Sequence, residues 1–293
     1  MSIINEGETR MATHYALPQV MLEPVVRAAL AEDLGRGGDI TSQAVVPAGT
    51  TARLQLVARE AGVLAGMDVA KLAFMLMDNA CNIEVLQQDG ADLLPGTVIA
   101  TLQGDAQALL AAERTALNFL GHLSGIASAT RPIARAIAPY GTKVSCTRKT
   151  MPGMRMLQKY AVRVGGGSNH RFGLDDAILI KDNHVAIAGG VRAALTRAKE
   201  NAGYLVKIEL EVDTLEQLDE ALACGVDMLL LDNMSVPMLT EAVQRIGGRA
   251  ISEASGSITP ESAVEVAKTG VNQIAMGWLT HSVRVLDIGL DSV

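Results

Sequence analysis

Six short apolar runs in the second half of this chain each end at residues able to do chemistry. Residues 143–146 lead into Thr147-Arg148-Lys149-Thr150, and residues 177–180 into Lys181-Asp182-Asn183-His184. The runs at 206–210 and 228–231 lead into Glu211 and Asp232-Asn233, and those at 250–253 and 273–276 into Ser255-Gly256-Ser257 and Gly277. One polar residue after one strand is an ordinary loop. Six in succession form a site if the strands are parallel and their C-terminal ends converge. The set divides by charge. Arg148, Lys149, Arg171 and Lys181 suit carboxylates and phosphates, which they hold through charge-assisted hydrogen bonds. Glu211 and Asp232 suit Mg²⁺ or ribose hydroxyls. A glycosidase-style acid/base pair is another reading of the two acids, disfavoured because nearby cations keep both ionised. A structural salt bridge to a local lysine is a third. Ser255, Gly256 and Gly277 offer turn backbone N–H groups to a phosphate.

Charge is unevenly spread. The chain carries a formal net charge of −7, yet from Arg114 to Leu174 it has ten Lys or Arg and no Asp or Glu. Such a stretch reads either as an anion pocket or as a solvated basic face. Gly165-Gly166-Gly167-Ser168-Asn169-His170-Arg171 lacks the ending of a P-loop and the context of a dinucleotide fingerprint. It reads as a flexible loop delivering His170 and Arg171. Of the other histidines, His122 reads as structural, and His184 and His281 as supporting groups near strand ends.

These residues need elements to hold them. From 143 onward, apolar strands alternate with helices at about 190–201, 215–224, 237–246 and 260–269, the last opened by a Thr259 cap and Pro260. That alternation implies a parallel sheet, open or closed into a barrel. The first third is mixed: a helix at 25–32, strands at 52–59 and 98–102, and a helix at 69–78, which suggests an α+β domain. A long helix from 106 to about 123 is the expected bridge. No apolar run reaches the ~18 residues of a membrane span. The polar N-terminus lacks secretory features and reads as a disordered leader. Cys81, Cys146 and Cys224 are unpaired by spacing, which points to free thiols in a cytoplasmic setting and not to structural zinc.

The motifs Thr147-Arg148-Lys149-Thr150-Met151-Pro152-Gly153 and Asn169-His170-Arg171 resemble quinolinate phosphoribosyltransferases. Lys181-Asp182-Asn183-His184, Glu211-Val212-Asp213, Leu231-Asp232-Asn233 and Leu279-Thr280-His281-Ser282 extend the likeness. So do Glu32-Asp33-Leu34-Gly35 and Glu113-Arg114-Thr115-Ala116-Leu117-Asn118 in the first half. The resemblance implies an α/β fold with an incomplete β/α barrel over 120–283. It implies an α+β sandwich over 18–119, joined by 284–293, after a leader at 1–17. It also implies transfer of phosphoribosyl from phosphoribosyl pyrophosphate to quinolinate with loss of CO₂, aided by Mg²⁺. On that reading Arg148, His170, Arg171 and Lys181 surround the quinolinate carboxylates and the pyrophosphate, with Lys149 on the pyrophosphate side. Glu211 and Asp232 hold ribose hydroxyls and Mg²⁺. Ser255, Gly256 and Gly277 cradle the 5′-phosphate with His281 near, and Arg114 reaches across from the partner of a homodimer. Lys149, Glu211 and Asp232 are the residues expected to carry catalysis.

Ser257, Asn272 and Trp278 depart from the family pattern and are expected near the 5′-phosphate. Two enzyme alternatives remain: a molybdate-operon relative acting on another anion, and phosphoribosylation of nicotinate without decarboxylation. Binding of a nucleic acid or other polyanion is disfavoured, because stacking aromatics and a basic domain are missing.

Overall fold

The computed structural model describes residues 16–293. The expected leader, apart from its last two residues, and His14 lie outside them. Helices α1 (Gln19–Leu34) and α2 (Ile40–Val45) come first. Asp39 caps α2, accepting from the backbone N–H of Thr41 and Ser42. Then follow β1 (Thr51–Ala58), β2 (Gly62–Val63), α3 (Met67–Met77), β3 (Asn82–Val85), β4 (Asp92–Leu93) and β5 (Val98–Asp105). On β1, Leu54, Leu56 and Ala58 share one face by strand alternation, and all three are buried.

Helix α4 (Ala106–Ile137) starts where Asp105 accepts from the backbone N–H of Ala108 at 2.9 Å. It runs well past the expected end near 123. The cause is visible in the burial: Ile126, Ile133 and Ile137 continue the apolar spacing through Pro132. One side of α4 packs on α3 and another on α5 (Arg155–Val164) and β6 (Lys143–Ser145), so it is shared by both halves.

The second half continues with β7 (Ile178–Ile180), α6 (Asp182–Ala188), α7 (Val191–Asn201), β8 (Ile208–Val212) and α8 (Leu215–Cys224). Next come β9 (Met228–Asp232), α9 (Val236–Ile246), β10 (Ile251–Ser255), α10 (Ala263–Ala267), β11 (Gln273–Ala275) and α11 (Trp278–His281). The last element is β12 (Ile288–Ser292). It pairs antiparallel with β1 in a four-stranded sheet of order β12-β1-β5-β3.

The barrel sheet has six parallel strands in the order β6-β11-β10-β9-β8-β7. Its two edges do not pair with each other. A parallel bridge from Ser145 to Ser168 extends the β6 edge and leaves the barrel incomplete. On β8, Leu210 and Val212 are fully buried in the core, while Glu209 and Glu211 take the opposite face.

Several boundaries differ from expectation. Strands β8, β9 and β10 run on to Val212, Asp232 and Ser255, so Glu211, Asp232 and Ser255 are strand residues and not loop residues. Helix α10 is shorter than 260–269, although the expected cap chemistry forms: Thr259 Oγ1 accepts from the backbone N–H of Ser262. Helices α5 and α6 were not foreseen.

Candidate active site

The strand ends border one cavity of about 920 Å³. Arg148, Lys149, His170, Arg171, Lys181, Glu211, Asp232, Ser255, Gly256, Gly277 and His281 all line it. Of the expected site residues only Arg114 is missing. It is exposed on α4 and faces elsewhere in its own protomer.

The loop after β6 is pinned from three sides. Lys149 donates its backbone N–H to Thr147 Oγ1 at 3.0 Å, and its carbonyl accepts from Thr280 Oγ1 at 2.8 Å. The fully buried Gln158 accepts from the Met151 N–H and donates to the Thr280 carbonyl and to His122 Nε2. Burial pulls His122 below the usual imidazole range, which suits that acceptor role. Arg155 ties Thr150 to the Phe172 carbonyl and so links the loops carrying Lys149 and Arg171.

Three of the rim cations are left without an acidic partner, although Arg171 donates to the Ala177 carbonyl at 2.9 Å. Arg148, Lys149 and Arg171 have no carboxylate within ion-pair distance among the described residues. The Nε atoms of Arg148 and Arg171 are buried and have no hydrogen-bond partner. Burial and the charge of Arg148 both press the Arg171 guanidinium below its ordinary range. Buried guanidinium donors without acceptors are costly unless a ligand supplies the anion.

The acids behave differently. Glu211 accepts from Lys181 Nζ at 2.8 Å, which realises the lysine salt bridge considered for it and joins the two charge groups. Asp232 has no ion pair among the described residues and accepts from Asn233 Nδ2 at 2.6 Å. Both Asn233 and Ser257 sit at positive φ, 52° and 49°. Gly256 lies between their loops with φ +100°, and a Cβ there would collide with the Asn233 side chain and backbone. The rim turn is therefore built on left-handed backbone, held by the Asn233 N–H donating to the Ser255 carbonyl at 2.9 Å.

Three expectations are corrected. Of the ten basic residues between Arg114 and Leu174, only Arg148, Lys149 and Arg171 line the cavity. Arg131 and Arg135 instead meet Asp92, from an acid-bearing segment far away in sequence. Asn272 is not near the phosphate turns. It accepts from Ser252 N–H at the start of β10, the opposite strand end from the site, whereas Ser257 and Trp278 do line the cavity. The glycine segment 165–167 is not a flexible loop, because Gly165 and Gly167 pack too tightly against Thr130 to admit a Cβ. His184 stands behind the cavity wall, where its Nδ1 accepts from the backbone N–H of the lining residue Lys181 at 2.9 Å, a supporting contact.

The sequence reading missed Glu209 and Glu253. His170 Nε2 lies 2.8 Å from Glu209 Oε2 and 3.7 Å from Glu253 Oε1. Their ligand-capable atoms all fall within 4.8 Å of one another. The signal was strand alternation: Glu209 precedes Glu211, and Glu253 precedes Ser255, by two residues on the same face.

Comparison with known proteins agrees with this architecture. The family model “Quinolinate phosphoribosyl transferase, C-terminal domain” matches residues 126–291, and its N-terminal counterpart matches 39–124. The chain is 51% identical over 271 residues to a protein of Mycobacterium leprae (strain TN) named nicotinate-nucleotide pyrophosphorylase (carboxylating), covering 91% of this chain and 95% of that one. A Bacillus subtilis (strain 168) relative, named probable nicotinate-nucleotide pyrophosphorylase (carboxylating), is 45% identical over 260 residues, covering 89% of each chain. The crystal structure of NadC from Streptococcus pyogenes superposes with a TM-score of 0.91 at 40% identity, covering 95% of this chain and 99% of that one.

Proposed function

This chain belongs to the quinolinate phosphoribosyltransferase family, and we propose that it is the carboxylating nicotinate-nucleotide pyrophosphorylase of NAD synthesis. It joins quinolinate to phosphoribosyl pyrophosphate and releases nicotinate mononucleotide, pyrophosphate and CO₂. The observation that carries this reading is the set of unpaired rim cations, Arg148, Lys149 and Arg171, around a cavity large enough for two small anionic substrates. Quinolinate is a dicarboxylate and the sugar donor carries a phosphate and a pyrophosphate. Their mutual repulsion is relieved only where such charge is uncompensated in advance.

The chemistry assigned to the residues is mainly positioning and electrostatics. Arg148, Arg171, His170 and Lys181 hold the carboxylates and the pyrophosphate. Lys149 stabilises the leaving pyrophosphate. Glu211 and Asp232 face the ribose, whose ring gains positive charge as the leaving group departs. The pyridine nitrogen attacks the anomeric carbon, and the cationic ring then accepts the electrons released by decarboxylation. Ser255, Gly256, Gly277 and His281 receive the 5′-phosphate. No residue is required as a covalent nucleophile.

Glu211 and Asp232 fit Mg²⁺: they are hard oxygen donors, Asp232 has no ion-pair partner, and only Oε2 of Glu211 is engaged. When bound, the ion supplies charge neutralisation to the departing pyrophosphate.

The functional unit is a homodimer in which Arg114 completes the partner's cavity. Arg114 is exposed and apart from its own cavity, while Met151, Phe172 and Leu174 in the rim loops are exposed apolar residues that a second copy would cover. Mixing Arg114→Ala with Lys149→Ala protein tests this. Each variant alone is inactive, and exchange of protomers restores activity only if Arg114 works in trans. No helix among the described residues is long and apolar enough to cross a membrane, and a cytoplasmic setting suits the free cysteines and the metabolic role.

The direct test supplies purified protein with quinolinate, phosphoribosyl pyrophosphate and Mg²⁺. Equal amounts of CO₂, pyrophosphate and nicotinate mononucleotide are expected. A folded protein that forms no mononucleotide refutes the reading.

A further inference from the structure

Two rim segments that carry different parts of the site are fastened to each other beneath it. One follows β6 and bears Lys149. The other follows β11 and comprises Gly277 and α11. Thr280 on α11 is fully buried, and its Oγ1 lies 2.8 Å from the Lys149 carbonyl and 3.1 Å from the Gly277 carbonyl. Gln158 on α5 is fully buried as well and reinforces the join. Its Oε1 accepts from the Met151 N–H at 3.0 Å, and its Nε2 donates to the Thr280 carbonyl at 2.9 Å. The stem of Lys149 crosses Gly277 closely: a Cβ at that glycine would lie 3.0 Å from Lys149 Cδ and 3.2 Å from Thr147 Oγ1.

We infer that Thr280 and Gln158 are positioning residues that fix the span between Lys149 and the turn at Gly277, and so match the site to a ligand with an anionic group at each end. That this ligand is phosphoribosyl pyrophosphate, with its pyrophosphate at Lys149 and its 5′-phosphate at Gly277, rests on the function proposed above.

Neither residue lines the cavity, so neither can act except through the segments it holds. The Gln158 amide has two N–H hydrogens and two acceptors at 2.9 Å, the Thr280 carbonyl and His122 Nε2. Burial keeps His122 below the usual imidazole range, so that nitrogen can offer a lone pair. A flipped amide would set its oxygen against the Thr280 carbonyl and an N–H against the Met151 N–H. Only one orientation satisfies all three contacts, and in it a single buried amide holds both segments. The Thr280 hydroxyl has one hydrogen for two carbonyls. The Gly277 carbonyl already accepts from the Thr280 backbone N–H at 3.1 Å. The Lys149 carbonyl is the nearer of the two and has no other donor among the described residues, so the hydroxyl hydrogen belongs to it. The supports are themselves rigid, because Leu157 and Ala161 of α5 and Leu279 of α11 are buried in the core. A fixed span matters for a ligand held at both ends, since a misplacement of ~1 Å can cost about 100-fold in rate.

The test sets the two ends of the ligand against the whole. Thr280→Val keeps the side-chain volume and removes the hydroxyl. Inorganic pyrophosphate and ribose 5-phosphate, titrated separately by calorimetry with Mg²⁺ present, should each bind this variant within about threefold of wild type, because neither has to span the site. Phosphoribosyl pyrophosphate does span it, so its kcat/KM and its directly titrated affinity should both fall by at least ~10-fold, with the KM for quinolinate held within about twofold. Thr280→Ser restores the hydroxyl and lacks the methyl, and it should recover most of that loss. A packing role predicts the opposite order, with valine harmless and serine harmful. His122→Leu removes one acceptor of Gln158 and should show the valine pattern more weakly; it carries the test if Thr280→Val does not fold. Wild-type use of phosphoribosyl pyrophosphate by Thr280→Val, a serine variant worse than the valine one, or a loss of affinity for one fragment as large as that for the whole ligand would overturn the inference. A wild-type protein that forms no mononucleotide would refute the proposed function instead, and the calorimetric comparison, which needs no turnover, would still decide whether the span is fixed.

Discussion

The rim and the floor of the cavity hold similar residue types arranged by opposite rules. At the rim, Arg148, Lys149 and Arg171 have no acidic partner among the described residues, and two guanidinium Nε atoms are buried without an acceptor. On the floor, Lys159, His170, Glu209 and Glu253 are almost closed to solvent and lie within reach of one another. Charge that must meet a substrate is left without an acidic partner, while the floor charges lie close to opposite charges inside the protein. Loss of a rim cation should therefore affect turnover and spare folding. Loss of a floor charge should instead cost stability, because the remaining charges cannot reach water.

The largest expected effect is on the floor. Lys159→Met should destabilise the protein by about 3–5 kcal/mol, the cost of leaving buried charge uncompensated, read from the urea midpoint. A loss below about 1 kcal/mol would mean that the floor is not a balanced group. At the rim, Lys149→Ala should reduce turnover by at least ~100-fold, the scale of one lost electrostatic group, with an unchanged melting temperature. Near-normal turnover would remove Lys149 from the site.

The floor also has a pH signature. Glu253 is pushed up to about 7 from 4.5, and His170 is raised above 6.5. Each group binds its proton more tightly in the folded state. Its contribution is complete below the unfolded value and is lost as pH rises through the folded one. The Glu253 contribution should thus fall between about pH 4.5 and about 7, and that of His170 should fall above the ordinary imidazole range. Glu253→Gln should flatten that fall by roughly 1–3 kcal/mol relative to wild type. Unfolding curves at pH 5.5 and 8 for both proteins check it, and parallel pH dependence would contradict it. The smallest effect belongs to the rim turn. Ser257→Gly should relieve left-handed strain at φ 49° and change stability by under about 1 kcal/mol, since glycine also gains unfolded-state entropy.

The contrast also explains what the sequence could reveal. Rim residues are legible because each follows an apolar run and must emerge where parallel strands end, and the structure brings all but Arg114 together. The floor was hidden by strand boundaries. With β8 expected to stop at Leu210, Glu211 read as a terminal residue and Glu209 as part of an apolar stretch. Once the strand is seen to reach Val212, the two glutamates fall on one face. The acid-free basic stretch misled in a similar way. Lack of local acids does not leave a charge unpaired, since Arg131 finds Asp92 across 39 positions of sequence. In the fold, the end of α4 was missed because apolar spacing continued through Pro132, a residue that ordinarily argues for a break.

The most direct test of the central claim is the ratio of kcat/KM for quinolinate to that for nicotinate, measured with phosphoribosyl pyrophosphate and Mg²⁺. If the uncompensated rim cations and His170 are there to receive a second carboxylate, quinolinate should be favoured by at least ~10³-fold, because nicotinate leaves buried donors unpaired. Comparable use of the two acids would contradict the account.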